Sequence, residues 1–203
     1  MKSAPTTSRG SERALIAVFG SSTVREGQLA YRTAYELGQA LARAGADVMT
    51  GGYGGIMEAC SRGASEAGAH VVGVTVDLFE SRGPANRWVK ERVHTPDLFE
   101  RLRHIVGRAD GFITVPGSIG TLTELFLTWT LLSVSGRPSA PLVLLGDPWP
   151  RYLDAHRHPG LVLPHLFDFV QVAASPAEAA EKALAGVAAA RAVGEGRAPG
   201  ERS

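Results

Sequence analysis

Hydrophobic residues along the chain fall into two kinds of segment: short continuous runs and longer segments with helical spacing. Because the runs are almost wholly apolar rather than alternating, they are typical of strands covered on both faces of a parallel sheet. The six predicted strands are Ala14–Phe19, Asp47–Thr50, His70–Val76, Phe112–Val115, Leu142–Leu145 and Phe169–Val172. The five predicted helices are Gln28–Ala44, Ile56–Ala67, Asp97–Arg108, Leu122–Ser135 and Pro176–Ala190. Their alternation predicts an α/β fold of three layers, a doubly wound and mainly parallel sheet with helices on both faces.

The two ends of the chain lack this periodicity. Residues 1–12 are rich in Ser, Thr and Pro, and residues 191–203 mix Gly, Pro and charge, so we expect flexible tails there. Residues 13–190 then form a single domain, which suits a chain of 203 residues. One long irregular segment, 77–95, interrupts the pattern, and loops of that length inside a domain are often functional.

Composition excludes several classes of function. The net charge is +1 and no block of like charges occurs, which argues against a nucleic-acid partner. The single cysteine, Cys60, rules out an internal disulfide and fits a reducing compartment. The apolar run that follows the polar first residues is too short to span a membrane and has no cleavage site behind it. We therefore expect a cytoplasmic protein with no membrane partner.

Three predicted strands end in loops with unusual residues, all at the edge of the sheet where ligands bind in such folds. Glycine in one loop alone could simply make a turn, but three such loops at one edge favour a phosphate-bearing ligand, because glycine permits close backbone approach and helix N-termini attract anions. The predicted binding residues are Gly20, Ser21 and Ser22; Gly52, Gly54 and Gly55; and Gly117, Ser118, Ile119, Gly120 and Thr121.

The kind of phosphate ligand follows from what these loops lack. Neither glycine-rich loop carries the lysine of a P-loop. The first loop reads GSSTVREG, which is not the G-x-G-x-x-G of a dinucleotide site. A mononucleotide or a sugar phosphate is therefore the better interpretation.

Glu124 is the only charged residue between Ile113 and Gly136. It has two interpretations. In a capping box with Thr121 it would bond a helix-end N–H and do nothing chemical. Amid leucines and aromatic residues, however, a carboxylate is desolvated and its pKa rises, which is typical of functional acids.

The predicted helix Asp97–Arg108 carries a polar stripe of Arg101, His104 and Arg108. This stripe is either a solvated face or part of a site. His94 and His104 do not have metal-ligand spacing with Cys60 or with a second histidine, and His156 and His158 lie in a loop that contains Pro and Gly, so we expect no metal site.

The assembled motifs resemble those of the Lonely Guy family, the cytokinin-activating phosphoribohydrolases. GGYGGIME and PGSIGTLTE are similar to its paired motifs, Gly20-Ser21-Ser22 and Leu37-Gly38 also match, and the resemblance covers about residues 13–172. It implies a Rossmann-like fold, usually a homodimer, and hydrolysis of the N-glycosidic bond of AMP or N6-substituted AMP. It also implies that pyridoxal phosphate and other cofactors are not needed.

The family pattern implies two catalytic residues, an arginine at Arg101 and a glutamate at Glu124. Two positions depart from it: Leu102 replaces a lysine, and Ser118 replaces a glycine. The segment from GGYGGIME onward is also similar to molybdenum-cofactor carrier proteins, which have the same fold and bind without hydrolysing. A nucleotide- or molybdenum-cofactor-binding carrier is therefore the alternative function.

The predicted helix Leu122–Ser135 has apolar residues around its whole circumference. A helix that covers one face of a sheet needs only one apolar stripe, so its other side should meet a partner. The sequence therefore predicts a homodimer through segments 97–108 and 122–135.

Overall fold

The computed structural model describes residues 13–134, 140–158 and 160–195. Within these residues the chain forms one sheet of seven strands, all parallel, in the order β4-β3-β2-β1-β5-β6-β7. The strands are β1 (Ala14–Phe19), β2 (Ala46–Thr50), β3 (Val71–Val76), β4 (Glu91–Thr95), β5 (Gly111–Thr114), β6 (Leu142–Leu145) and β7 (Val170–Ala173). The prediction of a doubly wound parallel sheet is confirmed.

Six α-helices of the described residues cover this sheet. They are α1 (Leu29–Arg43), α2 (Ile56–Glu66), α3 (Leu98–Arg108), α4 (Ile119–Val134), α5 (Pro148–His156) and α6 (Pro176–Glu195). Buried residues of α1, α2 and α6 share one core, and those of α3, α4 and α5 share another on the opposite face. The three-layer arrangement therefore follows from alternate strand residues pointing into two separate cores. None of the described helices is long and apolar enough to cross a membrane.

The order of the strands creates one switch point. The chain runs outward from β1 through β2 and β3 to β4, and then returns to place β5 on the other side of β1. Beyond this point the connections run the opposite way, through β6 to β7. Because the loops after β1 and β5 diverge to opposite faces, a crevice opens between them at the carboxyl ends of the strands.

The structure differs from the predicted elements in several places. The irregular segment contains a 3₁₀ helix (Asp77–Arg82) and the whole of β4, and a further helix, α5, lies where none was predicted. Helix α4 begins at Ile119, three residues before its predicted start. Helix α6 runs to Glu195, past its predicted end at residue 190 and into the segment expected to be a flexible tail. The predicted tail segments 1–12 and 196–203, and Ser135 at the predicted end of α4, lie outside the described residues.

Candidate active site

A cavity of about 300 Å³ lies at the switch point of the sheet. All three predicted loops contribute to its lining, together with α3, the first turns of α4 and the 3₁₀ helix (Asp77–Arg82). The cavity is lined by Val18, Phe19, Gly20, Ser22, Gly51, Tyr53, Met57, Phe79, Leu98, Arg101, Leu102, Ser118, Ile119, Gly120, Thr121, Thr123 and Glu124. Its position is the one at which open α/β sheets bind ligands.

Arg101 and Glu124 meet in this cavity, although 22 residues separate them in the chain. Arg101 Nη1 lies 3.4 Å from Glu124 Oε1, and the two side chains are only 7% and 15% exposed. The Nε of Arg101 donates a hydrogen bond of 2.8 Å to the carbonyl of Val74 at the end of β3. The guanidinium also lies 6.0 Å from the centre of the Phe79 ring. These contacts hold the one cation among the described lining residues against the one carboxylate among them.

The solvated-face interpretation of the α3 stripe is wrong for Arg101, which is buried. Arg108 instead forms a two-pronged ion pair with Glu91 at the start of β4. That pairing lowers the pKa of Glu91 to about 2, chiefly through the hydrogen bond from Arg108. His104 is partly buried, and burial lowers its pKa. The stripe thus divides into Arg101, which lies in the cavity, and Arg108, which fastens α3 to the sheet.

The capping-box interpretation of Glu124 is also wrong. The N–H of Leu122 donates to the carbonyl of Ser118, so α4 already turns three residues before the box would begin. Glu124 therefore lies in the second turn, and its carboxylate faces Arg101 rather than the helix end. Burial raises the pKa of Glu124 to about 7, and the positive charge of Arg101 opposes that rise only in part. A carboxyl group that titrates near neutral pH can act as an acid or a base.

The first turn of α4 faces the cavity with groups that can bind an anion. Ile119, Gly120 and Thr121 open the helix, and the N–H groups of a first helical turn have no acceptor within the helix. Ser118, Ile119 and Gly120 are exposed at the cavity, and a Cβ added to Gly120 would meet no atom within 4 Å. The positive end of the helix dipole therefore faces open space next to Glu124.

Five of the predicted binding residues do not line the cavity: Ser21, Gly52, Gly54, Gly55 and Gly117. At two of them, glycine serves contact between loops. A Cβ on Gly55 would lie 2.3 Å from the carbonyl oxygen of Ser21, and one on Gly117 would lie 2.8 Å from the backbone nitrogen of Ser21. Ser21 also accepts a 2.8 Å hydrogen bond from the N–H of Ile56. At Ser21, Gly55 and Gly117, these contacts join the loops to one another.

Phe79, in the segment after β3, and Tyr53 form an aromatic surface that was not predicted from the sequence motifs. The Tyr53 hydroxyl bonds both the N–H and the carbonyl of Val76, at 2.9 and 3.0 Å, and its ring packs edge-on against Phe79 at 5.9 Å. Asn86 reaches back to bond the carbonyls of Gly52 and Tyr53. An aromatic residue inside a glycine motif, followed by an irregular segment, is the sequence signal for this surface.

The described ranges contain no cluster of side chains that could bind a metal ion. There, no group of three or more His, Cys, Asp or Glu residues is placed to hold an ion. Polar chemistry in the cavity rests instead on the Arg101–Glu124 pair and the α4 N-terminus.

Comparison with known proteins links the chain to nucleotide-processing and cofactor-binding relatives. A model of the SLOG cluster4 family matches residues 13–133. A cytokinin riboside 5'-monophosphate phosphoribohydrolase from Mycobacterium tuberculosis is 33% identical over 135 residues, which are 66% of this chain and 71% of that protein. A probable enzyme of the same name from Oryza sativa is 28% identical over 172 residues, covering 82% of this chain and 70% of that protein.

Solved structures with the same fold include proteins named for the molybdenum cofactor. The carrier protein from Chlamydomonas reinhardtii is 25% identical, with a TM-score of 0.65 and coverage of 86% of this chain and 99% of that one. The molybdenum cofactor binding protein from Rippkaea orientalis has a TM-score of 0.65 at 24% identity, covering 85% of this chain and 96% of that one, which bears on the fold alone.

Proposed function

Because the chain belongs to the SLOG cluster4 family, we propose that it is a phosphoribohydrolase that cleaves the N-glycosidic bond of AMP or an N6-substituted AMP. The resemblance to the Lonely Guy family is confirmed by relatives named as cytokinin riboside 5'-monophosphate phosphoribohydrolases. The observation that carries the proposal is the buried Arg101–Glu124 pair inside a cavity at the switch point of the sheet.

Glu124 is the proposed catalytic carboxylate. Cleavage of the bond between C1′ and the base passes through a state with oxocarbenium character, which a nearby carboxylate stabilises while it takes a proton from water. The oxygen of that water becomes bonded to C1′, and a proton ends on the departing base nitrogen. The products are the free base and ribose 5-phosphate. With its pKa near 7, Glu124 is ionised in a large share of molecules at neutral pH and can return its proton afterwards.

Arg101 orients this carboxylate and lowers the cost of its charge. Its Nη1 contacts Glu124, while the bond from Nε to Val74 fixes the direction of the guanidinium. Leu102, which stands where the family pattern has a lysine, also lines the cavity. Among the lining residues that the structure describes, Arg101 is therefore the only lysine or arginine.

The two ends of the cavity suit the two ends of a nucleoside monophosphate. The N–H groups of Ile119, Gly120 and Thr121 would bind the 5′-phosphate at the start of α4. On the other side, Phe79 and Leu98 offer an apolar surface to a planar base. Glu124 lies between these regions, next to where the ribose would be held.

A homodimer is part of the proposal. Leu125, Trp129 and Leu132 of α4 are buried, but Phe126, Leu131 and Val134 on its other side are 36%, 36% and 72% exposed. Phe99 on α3 is 80% exposed and Ile119 at the mouth of the cavity is 79% exposed. Apolar side chains exposed on two neighbouring helices are typical of an interface.

The second candidate is a carrier that binds a nucleotide or the molybdenum cofactor without cleaving it. The likeness to the carrier protein from Chlamydomonas reinhardtii favours it, as do Leu102 and Ser118 in place of the family's lysine and glycine. Both candidates predict ligand binding, and only hydrolysis separates them. The cytoplasmic location and the absence of nucleic-acid and membrane partners stay predictions in either case.

The deciding experiment incubates the purified chain with AMP and with N6-substituted AMP and measures free base and ribose 5-phosphate by chromatography. We expect release by the wild type and a loss of at least about 100-fold in Glu124→Ala, the usual scale for removing a general acid or base. Glu36→Ala, which removes an exposed carboxylate from α1, is the matched control and should keep full activity. A wild-type protein that binds these nucleotides and releases no base would establish the carrier instead.

A further inference from the structure

We propose that Gly51, which follows β2, is a positioning residue for catalysis, because its missing side chain leaves the space in which the Arg101 guanidinium pairs with Glu124. This inference rests on the proposed function, since catalysis is one of its readouts. Gly51 was not among the residues predicted to bind ligand, and it lines the cavity beside Arg101 and Met57.

The space around Gly51 carries the argument. A Cβ at this position would lie 1.9 Å from Nη2 and 3.2 Å from Cζ of Arg101, and 2.6 Å from Sδ of Met57. Real carbon atoms do not approach so closely, so the guanidinium would have to leave its place. The packing of Arg101 against bare backbone is therefore possible only because residue 51 has no side chain.

The backbone gives no other reason for glycine at this position. The φ angle of Gly51 lies outside the left-handed region, unlike that of the next residue, Gly52, at +81°. Alanine can therefore adopt the conformation of residue 51 without strain. The atoms it would displace are the ends of two flexible side chains rather than backbone, so the fold should tolerate the substitution.

Arg101 cannot move aside and keep its function. The hydrogen bond from its Nε to Val74 and the Phe79 ring fix the guanidinium on other sides, and Glu124 contacts Nη1. A displaced guanidinium would draw away from the carboxylate. Arg101 is also the one charged group that lowers the pKa of Glu124, so the carboxyl group would then hold its proton to higher pH.

The test compares Gly51→Ala with the wild type as full chains, measuring kcat and KM for AMP as functions of pH. We expect the acidic limb of the kcat profile to move to higher pH and kcat at pH 7 to fall about fivefold, the effect of moving a pKa from about 7 to about 8. Gly107→Ala is the matched control, because Gly107 lies on the exposed side of α3 and an added Cβ meets nothing within 4 Å. A Gly51→Ala profile that superimposes on the wild type would overturn the proposal.

A double variant separates positioning from a general structural effect. In Arg101→Ala the guanidinium is already gone, so adding Gly51→Ala should cause no further loss of kcat. A further loss of the same size in that background would show that the methyl group acts without Arg101, and the proposal would be wrong.

A titration of the Glu124 carboxyl by carbon NMR makes the result independent of the proposed enzyme activity. We expect its midpoint to be higher in Gly51→Ala than in the wild type and unchanged in Gly107→Ala. If the wild type releases no base from any nucleotide, the proposed function fails while this titration still decides the role of Gly51. Equal midpoints in Gly51→Ala and the wild type would refute that role.

Discussion

Replacing Glu124 by glutamine removes the one carboxyl group among the described lining residues and keeps the shape of the side chain. In the folded protein the pKa of this group is about 7, against an ordinary value of 4.5 in the unfolded chain. Between these two values the folded protein holds a proton that the unfolded chain has released. The free energy of unfolding must therefore fall as pH rises from about 4.5 to 7, and this contribution is absent in Glu124→Gln.

The size of the effect follows from the raised pKa of Glu124. The difference between 4.5 and about 7 corresponds to about 3 kcal/mol of stability, most of which is lost by pH 8. The side chain is only 15% exposed, so solvent screening reduces this figure little. Glutamine also leaves Arg101 without its anion, but that cost is the same at every pH because the guanidinium stays charged.

The measurement is urea unfolding of the wild type and Glu124→Gln at pH values from 4 to 8. Titration of all other groups cancels in the difference between the two proteins. We expect the wild type to lose about 3 kcal/mol relative to the variant across this range. A difference between the proteins that stays constant with pH would show that the pKa of Glu124 is the same in the folded and the unfolded protein, and that the carboxylate is better solvated than its surroundings imply.

Two further predictions concern the ligand and the assembly. Gly120→Val should fold normally, since no atom lies within 4 Å of its Cβ, yet lower the affinity for AMP at least tenfold by filling the anion site at the start of α4. Unchanged affinity measured by calorimetry would show that the phosphate binds elsewhere. Light scattering should give about twice the 21.4 kDa chain mass, and Phe99→Glu should reduce it to one chain mass. Leu29→Glu on the opposite face of the sheet is the control, and a wild-type monomer would contradict the proposed interface.

The sheet was predictable where strands are covered on both faces. Strand β1 was predicted with its observed bounds, because all six of its residues are buried and therefore apolar. Strand β4 was missed because it lies at the edge of the sheet, where Arg92 and His94 remain exposed. An edge strand needs only one apolar face, and charged side chains there discourage pairing with other chains. Its sequence, ERVHT, therefore resembles a loop.

Residue patterns alone, without the family resemblance, did not predict that Arg101 pairs with Glu124. Each had a plausible structural interpretation, a solvated stripe for one and a helix cap for the other. What brings them together is the crossing of α3 over β3 and the start of α4 at Ile119, and the second of these was placed three residues too late. Only the resemblance to a family supplied the pair before the structure did.

In the glycine motifs, the absence of side chains allows close contacts with other parts of the protein. Glycine was expected to let backbone approach a ligand, and close approach is what the structure contains. For Gly20, Gly55 and Gly117, however, the approaching atoms belong to other segments of the protein, Ile56 for the first and Ser21 for the other two, at 2.5, 2.3 and 2.8 Å from an added Cβ. For Gly51 the nearest atom belongs to Arg101. The glycines thus draw the loops after β1, β2 and β5 into one packed unit, which fixes the α4 N-terminus relative to the guanidinium. Since catalysis depends on groups held in place before the substrate arrives, these contacts serve the ligand through the loops that they position.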